Sequence, residues 1–100
     1  MIPLDKIINK NNYTYTQVLK GKRYCLYEQN GIANMRCFEL FEIKIRPTKD
    51  IKGIILEEKE LFPKDVDFGK TAWAICDLDK ALAKFNELEK QYKDINMKMI

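Results

Sequence analysis

The sequence predicts an α+β fold: a two-layer domain with an antiparallel sheet of four to five strands and a C-terminal amphipathic helix packed on one face. Segments rich in β-branched and aromatic residues fill most of the first three quarters of the chain, which favours strands. Apolar residues in the last quarter recur every three or four positions, which predicts a helix with one apolar stripe. A chain of 100 residues forms one domain, so this stripe has only the sheet to pack against.

The first two strands are predicted to form a hairpin. Residues 13–19, Y-T-Y-T-Q-V-L, and residues 23–28, R-Y-C-L-Y-E, are rich in strand-forming types and are joined by a tight connection. The segment before them, residues 1–12, is interpreted as a separate N-terminal arm. After them, Asn30-Gly31 predicts a turn because these residue types tolerate positive φ.

The longest strand candidate is residues 36–46, R-C-F-E-L-F-E-I-K-I-R. Phe41 and Ile43 occupy odd-numbered positions and would face one side of the strand, whereas Phe38 and Leu40 occupy even-numbered positions and would face the other. Both sets can be buried only if the strand bulges between them or if both faces of the sheet are covered. A bulge is the favoured interpretation.

The segment between this strand and the helix is less regular. Residues 47–53 read as a polar loop, 54–60 as an edge strand, 61–69 as a second loop and 71–75 as a short apolar strand. The sheet face away from the helix is expected to be exposed or covered by the N-terminal arm and these loops.

The helix is the clearest element. Asp77 is predicted to cap a helix that begins at Leu78 and ends near Tyr92. Its apolar stripe consists of Leu78, Ala81, Leu82, Phe85, Leu88 and Tyr92.

The predicted organisation is an N-terminal arm at 1–12, a single α+β domain at 13–92 and a frayed C-terminal tail at 93–100. The predicted core comprises Val18, Leu26, Phe41, Ile43, Trp73, Ile75, Leu78, Leu82, Phe85 and Leu88.

Composition and cysteine usage indicate a cytoplasmic protein. The net charge of +3 is ordinary. The three cysteines, Cys25, Cys37 and Cys76, are odd in number and widely spaced, and the sequence contains no histidine. We therefore expect no disulfide and a reducing compartment, with each thiol acting as a small buried side chain. No apolar run is long enough to cross a bilayer, so no membrane association is expected.

The stretch D-F-G-K-T around Gly69 resembles pieces of two nucleotide-binding motifs, but neither motif is complete. A phosphate-binding loop needs a glycine five positions before Gly69, where this chain has Lys64. The kinase motif set needs a histidine in its catalytic loop. Gly69 is therefore interpreted as a turn residue.

The remaining catalytic and metal chemistries are also unsupported. The chain contains neither serine nor histidine, which excludes a Ser-His-Asp triad, a Cys-His pair and the usual zinc sites. The acidic segment around Asp65 and Asp67 lacks the ligand pattern of a calcium loop. A carboxylate pair drawn from Glu28, Glu39 or Glu42 is a third and distant option. We expect no catalytic residue, metal or cofactor.

A basic, tyrosine-rich hairpin is the best candidate for binding, because aromatic rings stack on bases while cations hold the backbone. Tyr13 and Tyr15 share one strand face. If that face is open it forms a stacking platform, and if it faces the helix these tyrosines are core, which is the favoured interpretation. The candidate nucleic-acid or partner-binding residues are Tyr13, Tyr15, Lys20, Lys22, Arg23, Tyr27, Lys44 and Arg46.

The run F-P-K-D-V-D-F-G-K-T-A-W, continuing to D-L-D-K-A-L-A-K-F, resembles a pattern in short proteins of gut bacteria and their mobile elements or phages. With Y-T-Y-T-Q-V and R-Y-C-L-Y-E, the resemblance spans Tyr13–Leu88. It implies no activity. The layout is also similar to the tryptophan-glycine-arginine domains and the single-strand-binding transcription coactivators, although Trp73 is followed by Ala74 and Ile75 rather than by glycine and arginine.

These observations predict a small non-enzymatic binding protein: an accessory or regulatory factor that acts through a protein partner and is encoded by a mobile element or phage. The alternative is a single-stranded nucleic-acid-binding protein that uses the tyrosine-rich hairpin. Homodimerisation through an exposed apolar sheet face is a further option.

Overall fold

The computed structural model describes residues 1–31 and 36–98, with side chains described up to residue 95. The chain folds as predicted into an antiparallel sheet with one C-terminal helix packed on it. The elements are β1 (Ile7–Lys10), β2 (Tyr13–Lys20), β3 (Tyr24–Asn30), β4 (Arg36–Glu42), β5 (Lys44–Arg46), β6 (Lys49–Ile51), β7 (Ile54–Leu56), β8 (Lys59–Leu61), β9 (Ala72–Ile75) and α1 (Leu78–Lys98). The main sheet has the strand order β1-β2-β3-β4-β9.

Both faces of this sheet are covered, which resolves the parity conflict in β4. The strand keeps a regular register with both neighbours, so the favoured bulge within it is wrong. Phe38 and Leu40 point toward α1, whereas Phe41 belongs to a second cluster on the opposite face. The bulge lies instead in β2, between Gln17 and Leu19.

The N-terminal segment belongs to the domain rather than forming a separate arm. β1 is an edge strand of the main sheet, joined to β2 by Asn11 and Asn12, whose φ values of 53° and 67° suit a tight hairpin turn. Leu4 is buried in the cluster on the face opposite α1. The alternative in which the N-terminal segment helps to cover this face is therefore confirmed.

Residues 44–61 form a two-stranded ribbon, where the sequence predicts the end of the long strand 36–46, a loop and an edge strand. β5 pairs with β8 at its base, and β6 pairs with β7 at its tip. Lys52 and Gly53 turn the tip with φ values of 52° and 87°, both positive as a type I′ turn requires. The radius of gyration is 15.1 Å, above the value of about 13 Å for a compact domain of this length, which is consistent with a projecting ribbon.

The helix begins as predicted. The Asp77 carboxylate accepts a hydrogen bond from the Lys80 backbone N–H at 3.0 Å, which caps the first turn. The helix continues to Lys98, beyond the predicted end at Tyr92, so it includes most of the segment interpreted as a frayed tail. Ala81 and Phe85 are the buried members of its stripe.

The predicted core is confirmed in part. Val18 is exposed because the bulge in β2 turns it outward. Half-buried members are Trp73, Ile75, Leu78, Leu82 and Leu88, and the buried ones are Leu26, Phe41, Ile43 and Phe85.

Candidate functional site

The tyrosines of the predicted stacking platform divide between core and surface. Tyr15 and Tyr27 are 5% and 0% exposed, because their sheet face is covered by residues that include Leu4 and Phe62. Tyr13 is 39% exposed, and its ring lies over Gly31, where an added Cβ atom would come within 2.2 Å of it. Tyr15 and Tyr27 therefore offer no exposed ring on which a base could stack. Their prediction as candidate binding residues is wrong.

The buried tyrosine hydroxyls are satisfied within the fold. Gln29 donates to the Tyr15 hydroxyl at 3.0 Å, and Gln17 donates to the Tyr27 hydroxyl at 3.1 Å. The Tyr27 hydroxyl in turn donates to the Asp5 carbonyl oxygen. Burial raises the pKa of both side chains, that of Tyr27 to about 12, so both stay neutral at physiological pH.

Most of the basic candidates are held by partners of the same chain. The pairs are Lys20 with Glu60, Arg23 with Glu42 and Lys44 with Asp67, while Arg46 donates to the Glu57 carbonyl oxygen at 3.0 Å. Partly exposed pairs of this kind contribute little stability, about 0–1 kcal/mol each. They do neutralise the charges locally, so the candidates do not form the continuous basic stripe that a nucleic-acid backbone would follow.

Glu39 is a buried carboxyl group in the middle of β4. It is 7% exposed, and its Oε2 atom has no hydrogen-bond partner among the described residues. Burial raises its pKa to about 7, and the nearby Lys10 ammonium limits the rise. Glu28 and Glu42 lie on the face that α1 covers, so the structure does not unite Glu39 with them as a carboxylate pair.

Glu89 connects α1 to the turn between β2 and β3. Its Oε1 atom accepts the backbone N–H groups of Arg23 at 3.0 Å and Tyr24 at 2.8 Å, and Oε2 accepts that of Lys22 at 3.2 Å. Gly21 makes room for the carboxylate, because a Cβ atom there would lie 2.0 Å from Oε1. The turn that carries the basic candidates Lys22 and Arg23 is therefore bound to α1 through Glu89, and we call this contact the Glu89 anchor.

Two of the three cysteines are bonded to each other. Phe38 in β4 lies opposite Ile75 in β9, so Cys37 and Cys76 form the next facing pair, and their Cα atoms are 4.1 Å apart in a disulfide. The prediction that the chain has no disulfide is wrong for this pair. The expectation of a buried thiol holds for Cys25, which donates to the Leu19 carbonyl oxygen at 3.3 Å and whose pKa burial raises to about 12.

The ribbon tip, residues 49–56, brings three exposed apolar side chains together within one short hairpin. Ile51, Ile54 and Ile55 are 43%, 66% and 71% exposed. Ile51 and Ile54 face each other across the ribbon, and strand alternation places Ile55 on its other face beside Asp50. Lys52-Gly53 is a weaker hairpin signal than Asn-Gly, so this site was not predicted from the sequence. The flanking isoleucines are the feature that indicates it.

Other kinds of site have less structural support. Across residues 1–31 and 36–98 there is no cluster of three or more side chains suited to hold a metal ion, and no helix long and apolar enough to cross a membrane. The cleft at the ribbon base, between Glu42 and Asp67, encloses about 240 Å³, below the range of roughly 300–1,000 Å³ typical of ligand pockets.

Comparisons with protein-family models, curated proteins and solved structures found no match to this chain.

Proposed function

We propose that this chain is a small non-enzymatic binding protein, an accessory or regulatory factor whose ribbon tip contacts a protein partner. The observation that carries the proposal is the exposure of Ile51, Ile54 and Ile55 at the end of a projecting ribbon. Burying an exposed aliphatic side chain of this size contributes about 1.5–3 kcal/mol. A partner pocket that received these side chains would therefore recover a substantial free energy.

Backbone and charge at the tip also suit a protein partner. Among residues 1–31 and 36–98, β6 and β7 pair only with each other, so within this part of the chain each strand has an outer edge open to a further strand. Lys49 and Lys52 flank the isoleucines and provide a polar rim around an apolar centre, which is the usual anatomy of a protein interface.

The alternative, binding of single-stranded nucleic acid, has less support. Among its aromatic candidates, Tyr13 is the exposed one, while Tyr15 and Tyr27 are buried. Titration with a labelled oligonucleotide at low and high salt tests it directly. Binding that weakens steeply with salt and is lost in Tyr13→Ala would favour this alternative over the protein partner.

The experiment that tests the proposal uses photo-crosslinking in host cells. A photoreactive residue at position 54 of the full chain is compared with one at position 7, since Ile7 is a similarly exposed isoleucine in an edge strand. We expect a discrete protein adduct from position 54 and none from position 7. Equal adducts from both positions, or adducts to nucleic acid, would contradict the proposal.

The partner identified in this way is then purified and titrated. We expect Ile51→Thr/Ile54→Thr to weaken its Kd at least tenfold, which corresponds to about 1.4 kcal/mol. Ile7→Thr is the matched control, with threonine keeping the β-branched shape in both cases. An unchanged Kd in the double variant would show that the ribbon tip is not the contact.

We further propose, from the resemblance noted in the sequence, that the protein is encoded by a mobile element or phage and acts in the cytoplasm. Neighbouring genes for phage, conjugation or defence functions would support this origin, and a conserved housekeeping operon would contradict it.

A further inference from the structure

We infer that the Cys37–Cys76 disulfide is a reversible thiol–disulfide exchange site whose co-substrates are dithiols.

The disulfide lies outside the core of the domain. Cys76 is exposed in the short link between β9 and α1, and Cys37 is half-buried in β4. Neither belongs to the two clusters that form the core. Thiol–disulfide exchange requires a thiolate to approach one sulfur directly, and the exposed position of Cys76 favours this approach in the folded protein.

The third cysteine confines the chemistry to this pair. Cys25 is fully buried between β2 and β4, and its thiol donates to the Leu19 carbonyl oxygen. Burial raises its pKa to about 12, so it supplies almost no thiolate at neutral pH. The folded chain therefore has one disulfide couple and no internal thiol able to reshuffle it.

The exchange proceeds in two balanced steps. A thiolate of the dithiol attacks the sulfur of Cys76, the more exposed of the two residues, the Cys37–Cys76 bond breaks, and its electron pair leaves with Cys37, which takes a proton from water. The second thiol of the reductant then attacks the mixed disulfide and releases Cys76. The dithiol ends as a disulfide, and the protein has gained two electrons and two protons.

The position of the bond gives the exchange a structural consequence. It ties β4 to the first residue after β9, directly before the cap of α1. Once it opens, β9 keeps its pairing of 72–75 with 38–41, and α1 keeps its buried contacts through Ala81 and Phe85. We therefore expect the reduced protein to stay folded, with the β9–α1 junction loosened.

The test equilibrates the oxidised full chain in dithiothreitol buffers of graded redox ratio, blocks free thiols with a maleimide, and maps the labels by peptide mass spectrometry. We expect Cys37 and Cys76 to become labelled together along a single two-electron curve, while Cys25 stays unlabelled and far-UV circular dichroism is unchanged. Cys25→Ala should give the same curve. Cys37→Ala should leave Cys76 labelled at every redox ratio.

Hydrogen exchange supplies a second readout that does not depend on labelling. Reduction should speed amide exchange at β9 and the first turn of α1, while β2 and β3 remain unchanged. The inference is overturned if the bond resists dithiol until denaturant is added, if all three cysteines become labelled together, or if exchange accelerates throughout the chain. It is equally overturned if air-oxidised protein holds no Cys37–Cys76 bond.

Discussion

Replacing Glu89 with glutamine should weaken the contact between the helix and the hairpin turn that it anchors. The native carboxylate accepts three backbone N–H groups from residues 22–24, at 2.8–3.2 Å. Glutamine keeps one acceptor oxygen and places an NH₂ group against the remaining N–H donor. Two charge-assisted bonds become neutral and one is lost, which costs about 2–3 kcal/mol in the free energy of unfolding.

Urea unfolding followed by circular dichroism measures this cost. For a domain of this size the loss corresponds to a fall in Tm of about 10–20 °C. The matched control is Glu87→Gln, because Glu87 is exposed on the same helix and accepts only a long bond from Gln91, at 3.4 Å, among the described contacts. If the Glu89 and Glu87 variants are equally stable, the anchor contributes nothing and the reasoning fails.

Gly21→Ala provides an independent perturbation of the same contact. The added methyl group would lie 2.0 Å from the Glu89 carboxylate, which must then move away from the amides. A double-mutant cycle with Glu89→Gln should therefore show less than additive losses. Strict additivity would mean that the glycine serves the turn alone.

Three further outcomes are expected. Cys37→Ala/Cys76→Ala should lower the free energy of unfolding by about 4 kcal/mol, because the disulfide closes a loop with a sequence separation of 39 and so reduces the entropy of the unfolded chain. Urea titration measures this loss, and a value below about 1 kcal/mol would argue against the bond. Glu39 has a pKa of about 7 in the fold against an ordinary value of 4.5, so its burial should cost stability as pH rises from about 4.5 to 7. Glu39→Gln should remove that decline, by about 1–2 kcal/mol after solvent screening, and parallel pH profiles for the two proteins would refute the assignment. Phe62→Ala should cost about 3 kcal/mol, because the ring packs edge-on against Tyr15, Tyr27 and Phe41; near-UV circular dichroism should lose tyrosine signal, and an unaltered spectrum would contradict this packing.

Elements encoded by local pattern were predictable from the sequence. The cap at Asp77 and the stripe through Phe85 follow from spacing alone, and the structure confirms both. The helix end was misplaced because no strong stop signal follows Tyr92, and the helix continues to Lys98.

Features that depend on distant pairing were not predictable. The alternation of apolar residues along β4 is compatible with either a bulge or a sheet that is covered on both faces. Leu4 and Phe62 decide between these alternatives, because they cover the face opposite α1. The disulfide depends on the register between β4 and β9, which brings Cys37 opposite Cys76. The spacing of the cysteines in the sequence does not indicate that register.

In the candidate site too, local structure was predictable from the sequence whereas the covering of each face was not. The tyrosine-rich hairpin was correctly identified as strands. Its rings at Tyr15 and Tyr27 are buried on the face opposite α1, whereas the core interpretation in the sequence analysis invoked the helix. The exposed ribbon tip was interpreted as a loop and an edge strand because its turn signal, Lys52-Gly53, is weak.

The Glu89 anchor also bears on the order in which the chain can assemble. Its acceptor and the Arg23 amide are 66 residues apart, so the contact closes one of the longest loops in the molecule. The β2–β3 hairpin can form early from neighbouring residues, but its turn gains its carboxylate only after the C-terminal helix docks. Closing a loop of this length carries a larger entropy cost than forming the hairpin, so we expect the anchor to form after the β2–β3 hairpin.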